Sequence, residues 1–482
     1  MGKYLFSTVY IIILLAATPG LATGPYLGQT SPGTTPRLFA PGILTQPGGV
    51  VAVSRIAFSP DGKECFFSGP INWSFSGTRM YYTKCVDNVW TPHVLASFFP
   101  GYSCRQPYFS ADGNKLYFNS NRNGNPDIWV TERTPEGWGN PQVLPAPINS
   151  SLYDGMYTQT TDGTAYIESM RSGGRGGIDV WRISPQQPDQ PHQIQNLGSP
   201  VNTGADDNDP AISPDGKYLI FGSNYNDLFV SFNRGNGNWT VPVNLNQFCP
   251  GINTGAQEYA PFISADGRYL FFNRLSSGGI FWVENPIPSP DPNGPVLNLS
   301  TGERFGTIQA AIIYAQACDI LELQPGIYSE TVNLSNKNLT LQSVDPNDTY
   351  YVGGTIIQDN ADNPVVTLQE NSVACEIAGL TIRAGLTGIK GIATNAAIRN
   401  CRIMDNATHG IELSEDSNPH LLNCLITSNG QTGITMLRGP GRSSPYCTPL
   451  VENCIIVQNG SANIVGGEPV IVDSIITTQA AN

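Results

Sequence analysis

Charged side chains are scarce in this chain of 482 residues: they fill 13% of positions, and 25 Lys and Arg stand against 38 Asp and Glu, a formal net charge of −13. Nucleic acid is bound by clustered Lys and Arg that neutralise phosphates, and no such cluster occurs, which argues against that class of partner. No CxxC pair and no Cys/His group at metal-ligand spacing is present, so a zinc site is not expected. Gly-x-Ser-x-Gly, His-Glu-x-x-His and a phosphate-cradling Gly loop are missing as well. Histidine is rare, and three of the four (His93, His192, His420) follow a proline, which suits strand edges and turns. Beyond residue 22 no run is long and apolar enough to cross a bilayer.

What the sequence has in quantity is Gly (51) and Pro (38), with an apolar fraction of 40% that can fill a core in each of two or three domains. That balance favours many short strands joined by turns, an all-β protein. The N-terminus runs from Met1-Gly2-Lys3 through the apolar stretch Tyr10–Ala17 to small residues before Ala22, a secretory signal over residues 1–22 with cleavage expected after Ala22. A retained signal anchor is the alternative. The expected location is therefore secreted, periplasmic or cell-surface. No Cys precedes Cys65, which excludes a lipid-modified cysteine at the mature N-terminus, and the ten Cys permit disulfides without requiring them.

A tetrapeptide ending in Asp-Gly recurs five times, with Asp61, Asp112, Asp162, Asp215 and Asp266 at intervals of 51, 50, 53 and 51. Each lies between two alternating β-prone runs, as in Gln106–Phe109 and Lys115–Phe118, so each reads as a hairpin turn in which Asp bonds the turn backbone and Gly takes positive φ. These aspartates are structural on that reading. A third strand follows (Asp127–Val130, Asp179–Arg182, Leu228–Val230), then a fourth with a Trp-x-x-Pro-x-x-Leu pattern at Trp138, Pro141, Leu144 and at Trp239, Pro242, Leu245. Proline removes a ladder donor, which places that strand at an edge. Four strands per unit make a propeller blade. The fifth unit ends at Ile280–Val283 without a fourth strand, whereas Phe39–Leu44 matches Trp90–Leu95 and stands ready to complete it. Five blades result, a degenerate sixth remaining open.

Through Ser-Pro-Asp-Gly-Lys, Asp-Ile-Trp-Val at Asp127–Val130 and the connection Ile252-Asn253-Thr254, residues 37–284 resemble the TolB-like, WD-repeat-like propellers of bacterial envelopes. The resemblance implies a binding surface at the mouth of the central channel, and it carries no particular activity. Among polar connections, Ala205–Asp209 offers Asp206, Asp207 and Asp209 as oxygen ligands for calcium, against the plainer reading of a solvated acidic loop. Trp73, Phe75, Arg122 and Arg175 are loop residues that can stack on or hydrogen-bond a glycan, against ordinary loop packing. Cys65 and Cys85 lie on neighbouring strands as one possible pair.

After a linker over residues 285–295, Ile308, Ala311, Ile312 and Ala315 share one helical face, and Asp319–Tyr328 reads as strand and turn. This opening resembles right-handed parallel β-helices of the pectin-lyase-like class, in which a short helix caps the coil. That resemblance implies Gly where Cys318 stands, at a cost of about 1 kcal/mol if the backbone there takes positive φ. Downstream, Asn400-Cys401, Asn423-Cys424 and Asn453-Cys454 each carry a second Asn six residues on, at Asn406, Asn429 and Asn459. Strands stacked ~4.8 Å apart turn these into Asn ladders and an inward Cys column. The longer third interval is accounted for by an insertion, Arg438–Pro449.

Many coils of this class cleave acidic polysaccharides, and the best constellation here is Arg383, Arg402, Asp405, His409 and Glu412 on adjacent rungs. Ser428 and Thr432 replace Asp405 and His409 one rung on, so no acidic cluster accumulates. The sequence therefore leads to a signal (1–22), a linker (23–36), a propeller (37–284) and a short β-helix (296–482) of about six rungs. Its expected role is an exported, non-catalytic protein that binds a glycan, peptide or envelope partner, with the β-helix as spacer or second binding surface and no cofactor beyond the calcium candidate. The rival is a polysaccharide lyase or hydrolase working in the β-helix groove.

Overall fold

Why should a chain so rich in Asp-Gly build blades? Each turn answers in the same way in the computed structural model, which describes residues 23–44, 55–69, 78–96, 98, 101–185, 192–224, 226–235, 237–275, 279–360, 362–371, 373–437 and 447–477. Ser59 donates its hydroxyl to Asp61 Oδ1, which also accepts from the Lys63 amide, and Gly62 sits at φ 68°. Asp112, Asp162, Asp215 and Asp266 repeat the arrangement with Ser110, Thr160, Ser213 and Ser264. All five turn aspartates are structural, as their mechanism predicts.

Five antiparallel sheets follow in chain order. The first strands of successive blades, Ile56–Phe58, Cys104–Phe109, Asp154–Gln159, Asp207–Ile212 and Glu258–Ile263, pack against one another round a common axis. No sixth blade exists among the described residues. In blades 1 and 2 the edge strand is split in two (Val89–Trp90 and Val94–Leu95; Gly137–Trp138 and Gln142–Val143) around Pro92 and Pro141, which cannot donate to a ladder. The N-terminal segment closes the ring as the sequence suggests, but not in the expected register: Leu38, not Leu44, takes the place that Leu95 holds in blade 1, six residues earlier. Arg37 and Leu38 pair with Trp282 and Phe281 of blade 5, the Phe39 amide still bonds the Ile280 carbonyl, and residues 40–44 turn away rather than pair. Phe39 fills the seam against Trp282, Phe271 and Phe58 at 5.0, 5.1 and 5.8 Å. The segment expected as a linker, 23–36, is part of this domain: Leu27 is buried and the Trp90 indole donates to the Gly24 carbonyl.

A second compact unit begins at Pro288. The helix Ile308–Tyr314 starts on a Thr307 cap whose hydroxyl accepts from the Ala310 amide, and it buries Ile308, Ala311 and Ile312, with Ala315 just beyond it. Three parallel sheets then wind as a coil, one of them seven strands deep from Gly326–Ser329 to Ile475–Ile476, a rung more than the sequence suggests. Cys318 holds φ 71° where the family pattern implies Gly.

Register explains the repeated Asn. Asn400, Asn423 and Asn453 share a turn column at φ 54°, 53° and 51°, continued by Asp473 at 45°. The second set forms a buried amide ladder. Asn429 Oδ1 accepts from both the amide and the side chain of Asn406, and Asn459 Oδ1 does the same for Asn429. Cys401, Cys424 and Cys454 stack inward as expected, the Cys424 amide donating to Cys454 Sγ at 3.4 Å, and Ser474 continues the column on the next rung. All ten cysteines are free thiols. Cys65 faces Thr83 and Cys85 faces Trp90, so the register does not join Cys65 to Cys85. The signal region 1–22 and most of the 438–449 insertion lie outside the described residues. Among the described residues no helix is long and apolar enough to cross a membrane.

Candidate functional site in the propeller axis

Four of the five first strands carry a bulge at the same point, where one residue turns to positive φ: Gln106 (57°), Met156 (47°), Asp209 (54°) and Ala260 (50°). Each lies six residues before its turn aspartate, and in blade 1 that position is Arg55. A bulge re-aims the side chain it carries. Five equivalent places thus hold five different residues, all buried, and two of them, Gln106 and Asp209, bond a carboxylate that comes from a second strand, Glu168 of Ala165–Ser169.

Glu168 is fully engaged. Its Oε1 accepts from the Tyr153 hydroxyl and, at 3.5 Å, from Gln106 Nε2, and its Oε2 accepts from the Asp209 amide at 2.7 Å. Gly155 stands opposite Glu168 in the ladder, and a Cβ there would overlap the Tyr153 hydroxyl, so glycine is what lets that tyrosine reach the carboxylate. Asp209 Oδ2 accepts from the Ala260 amide at 3.0 Å. Burial raises both carboxyl groups; in Asp209, with the Glu168 charge adding to it, the shift reaches about 7.

Arg55 completes the group with no exposed surface at all. Its Nη1 donates to the Tyr157 carbonyl at 3.3 Å and lies 3.6 Å from the Met156 sulfur, and its guanidinium sits 5.7 Å from the Tyr108 ring centre. Among the described residues Nε and Nη2 have no hydrogen-bond partner. Desolvation lowers its pKa to about 10, opposed by Tyr108, Asp209 and Glu168, so it stays cationic at neutral pH. A buried charge with two empty donors is costly, and such a group in a folded protein calls for an explanation. Nearer the Asp-Gly turns a cavity opens on the axis with lining from every blade, including Phe58, Tyr108, Gln159, Ile212 and Phe262.

The sequence-derived candidates fare differently. Asp206–Asp209 is not a connection: Asp207 opens the first strand of blade 4, buried and accepting from Thr203 and Ser223, while Asp206 accepts from the Ile178 amide and Asp209 turns to the axis. Asp206 precedes the strand and the bulge turns Asp209 off the face it would share with Asp207, so the three are held by separate partners, and among the described residues no group of three or more His, Cys, Asp or Glu could hold a metal ion. Arg122 and Arg175 are exposed in separate blades, and Trp73 and Phe75 lie outside the described residues.

On the coil, Arg383 donates to Gln358 Oε1 at 3.3 Å, Glu412 pairs with Lys390 at 3.2 Å, and His409 Nδ1 meets Thr432 Oγ1 at 2.7 Å. Arg402 stacks between Thr381 and Leu425, diagonal to Arg383, which faces Met404. Asp405 is exposed at φ 56°, in a turn column with Ala384, Ser428 and Gln458. Among the described residues no ion pair joins Arg383 or Arg402 to Asp405 or Glu412. Burial lowers the His409 pKa, with Glu412 opposing. The five residues share rungs, and among the described residues no hydrogen bond or ion pair joins one of them to another.

Residues 326–478 match the family described as right handed beta helix region. The match fixes the hand of the coil and covers less than half of the chain. No curated protein matches the sequence. Among solved structures the chain is similar to TolB from Acinetobacter baumannii, at 16% identity over 48% of this chain and 54% of that one with a TM-score of 0.33. It is similar to the periplasmic gluconolactonase of Pseudomonas aeruginosa at 19% identity, 52% and 70% coverage and a TM-score of 0.30. Hydrazine synthase from Kuenenia stuttgartiensis follows at 14% identity, 48% and 70% coverage and 0.32. The chain thus spans about half the length of the A. baumannii protein.

Proposed function

We propose that this is a non-catalytic binding protein of the cell envelope or exterior, and that the axis of its propeller is where it binds. The observation that carries the reading is the mixed cluster of Arg55, Gln106, Glu168 and Asp209, assembled from several blades and left with two free donors, beside an axial cavity. The coil supplies regular parallel ladders whose polar columns are spent on themselves, which suits a spacer or second surface. Glycan, peptide and envelope protein remain the partner classes that such a surface serves.

The test pairs binding with turnover. The purified chain is run by affinity electrophoresis through gels holding acidic or neutral polysaccharides, and assayed on the same polymers for unsaturated and reducing ends, with and without calcium. Retardation without new chain ends is expected, unchanged in Arg402→Ala and Asp405→Ala and lost in Glu168→Gln. New ends that vanish in Arg402→Ala or Asp405→Ala would replace this reading with a lyase or hydrolase in the β-helix groove.

A further inference from the structure

The two nitrogens that Arg55 leaves free, Nε and Nη2, form one edge of the guanidinium, a planar fork whose spacing fits the two oxygens of a carboxylate. The other edge is occupied in part by the Tyr157 carbonyl at Nη1. The two acids of the cluster do not fill the free edge. Glu168 is taken by Tyr153, Gln106 and the Asp209 amide, Asp209 Oδ2 by the Ala260 amide, and among the described residues Arg55 has no ion pair within 4 Å.

Charge points the same way. Arg55 and Arg105 bring two positive charges to the cluster, whereas Asp209, pushed up to about 7 by burial and by Glu168, is partly neutral near pH 7, so positive charge is in surplus. Tyr108, over which Arg55 lies, is also a wall of the axial cavity, where Phe58, Phe109, Ile212 and Phe262 supply an apolar surface. A charged fork at one end and an apolar chamber at the other describe an amphipathic acid.

Resting on the axial-binding reading, we propose that the propeller axis recognises a small organic acid: its carboxylate takes the Nε and Nη2 edge of Arg55, and its apolar body fills the cavity beyond Tyr108. Arg55 is then a ligand-binding residue, and its partnerless donors belong to a site.

Isothermal titration calorimetry on the full chain tests this with matched pairs, phenylacetate against phenylacetamide and hexanoate against hexanamide. The acids are expected to bind at least about tenfold tighter than their amides, because the neutral amide gives the fork only one oxygen. Arg55→Lys should lose about tenfold, since an ammonium offers no fork. Arg55→Met should abolish the preference. If that variant does not fold, Asp209→Asn carries the test, because removing the neighbouring negative charge should tighten acid binding about threefold and leave amide binding unchanged. Equal binding of acid and amide, or no response to Asp209→Asn, overturns the carboxylate assignment. So does the absence of any binding, which would leave the fork to an internal water. The broader reading survives any of these if polysaccharide retardation is still lost in Glu168→Gln, and falls if it is not.

Discussion

The two halves of this molecule use repetition in opposite ways. In the coil, the Asn and Cys columns hold the same residue on successive rungs, and each copy satisfies the next: Asn406 on Asn429, Asn429 on Asn459, the Cys424 amide on the Cys454 sulfur. In the propeller axis, equivalent positions hold Arg, Gln, Met, Asp and Ala, and the cluster they form is closed by groups from outside the repeat position, Glu168 and Tyr153. A residue that is repeated by symmetry is explained by its neighbour one repeat away. A residue that breaks symmetry at a buried position needs another reason, and the reason we propose here is a site.

That contrast is open to attack. Asn429→Ala should have the largest effect: it strands the buried amide and side chain of Asn406 and leaves Asn459 Oδ1 with only the backbone amide of residue 429, a loss of roughly 3 to 5 kcal/mol in the coil by urea denaturation, localised by hydrogen exchange to residues 400–460. A loss below about 1 kcal/mol would mean the ladder is ornamental.

Next comes pH. Asp209 has its pKa raised above the unfolded value of 3.8 to about 7, so between those values the folded protein binds more protons than the unfolded chain. The contribution of this group is greatest below the unfolded pKa, declines as pH rises and is fully lost above 7, a few kcal/mol at most. Asp209→Asn should flatten the stability profile between pH 4 and 7, measured by denaturation of the full chain, and a slope unaltered by the substitution would separate Asp209 from the cluster.

Smaller still is Cys318→Gly, which removes a side chain from an exposed position at φ 71° and should stabilise the coil by about 1 kcal/mol. Least of all is Cys454→Ser. Ser474 shows that a hydroxyl serves in this column, so a cost under about 1 kcal/mol is expected in the same denaturation assay.

Legibility in the sequence follows the same divide. The Asp-Gly turns, the capping helix and both Asn columns could be read because a residue type recurs at a fixed interval; ring closure by the N-terminal segment could be read too, but the Phe39–Leu44 match gave the wrong register for it. Arg55, Gln106 and Asp209 recur only as a position, six before each turn aspartate, and no residue type marks them. Counting back from the turns is the signal that would have found them. Glu168 and Tyr153 carry no such mark, because what brings them to the axis is the room left by Gly155, a matter of packing across a ladder. The acidic run at 206–209 misled for a related reason: its composition looks like a solvated loop, whereas Asp207 is buried at the start of a strand and the bulge two residues on turns Asp209 to the axis, each among separate partners.

Closure of the ring also imposes a schedule. Arg37 and Leu38 find their partners about 240 residues later in the chain, at Trp282 and Phe281. At ribosomal speeds of about 5 to 20 residues per second, the closing strand leaves the tunnel on the order of 10 to 50 seconds before the edge it must join exists. Blades 1 to 4 can form as they emerge, each from a local run of chain, whereas the axis that gathers Arg55 and Asp209 is sealed last. The proposed site is therefore a product of the final folding event, and a nascent chain short of blade 5 has blades but not the assembled axial cluster.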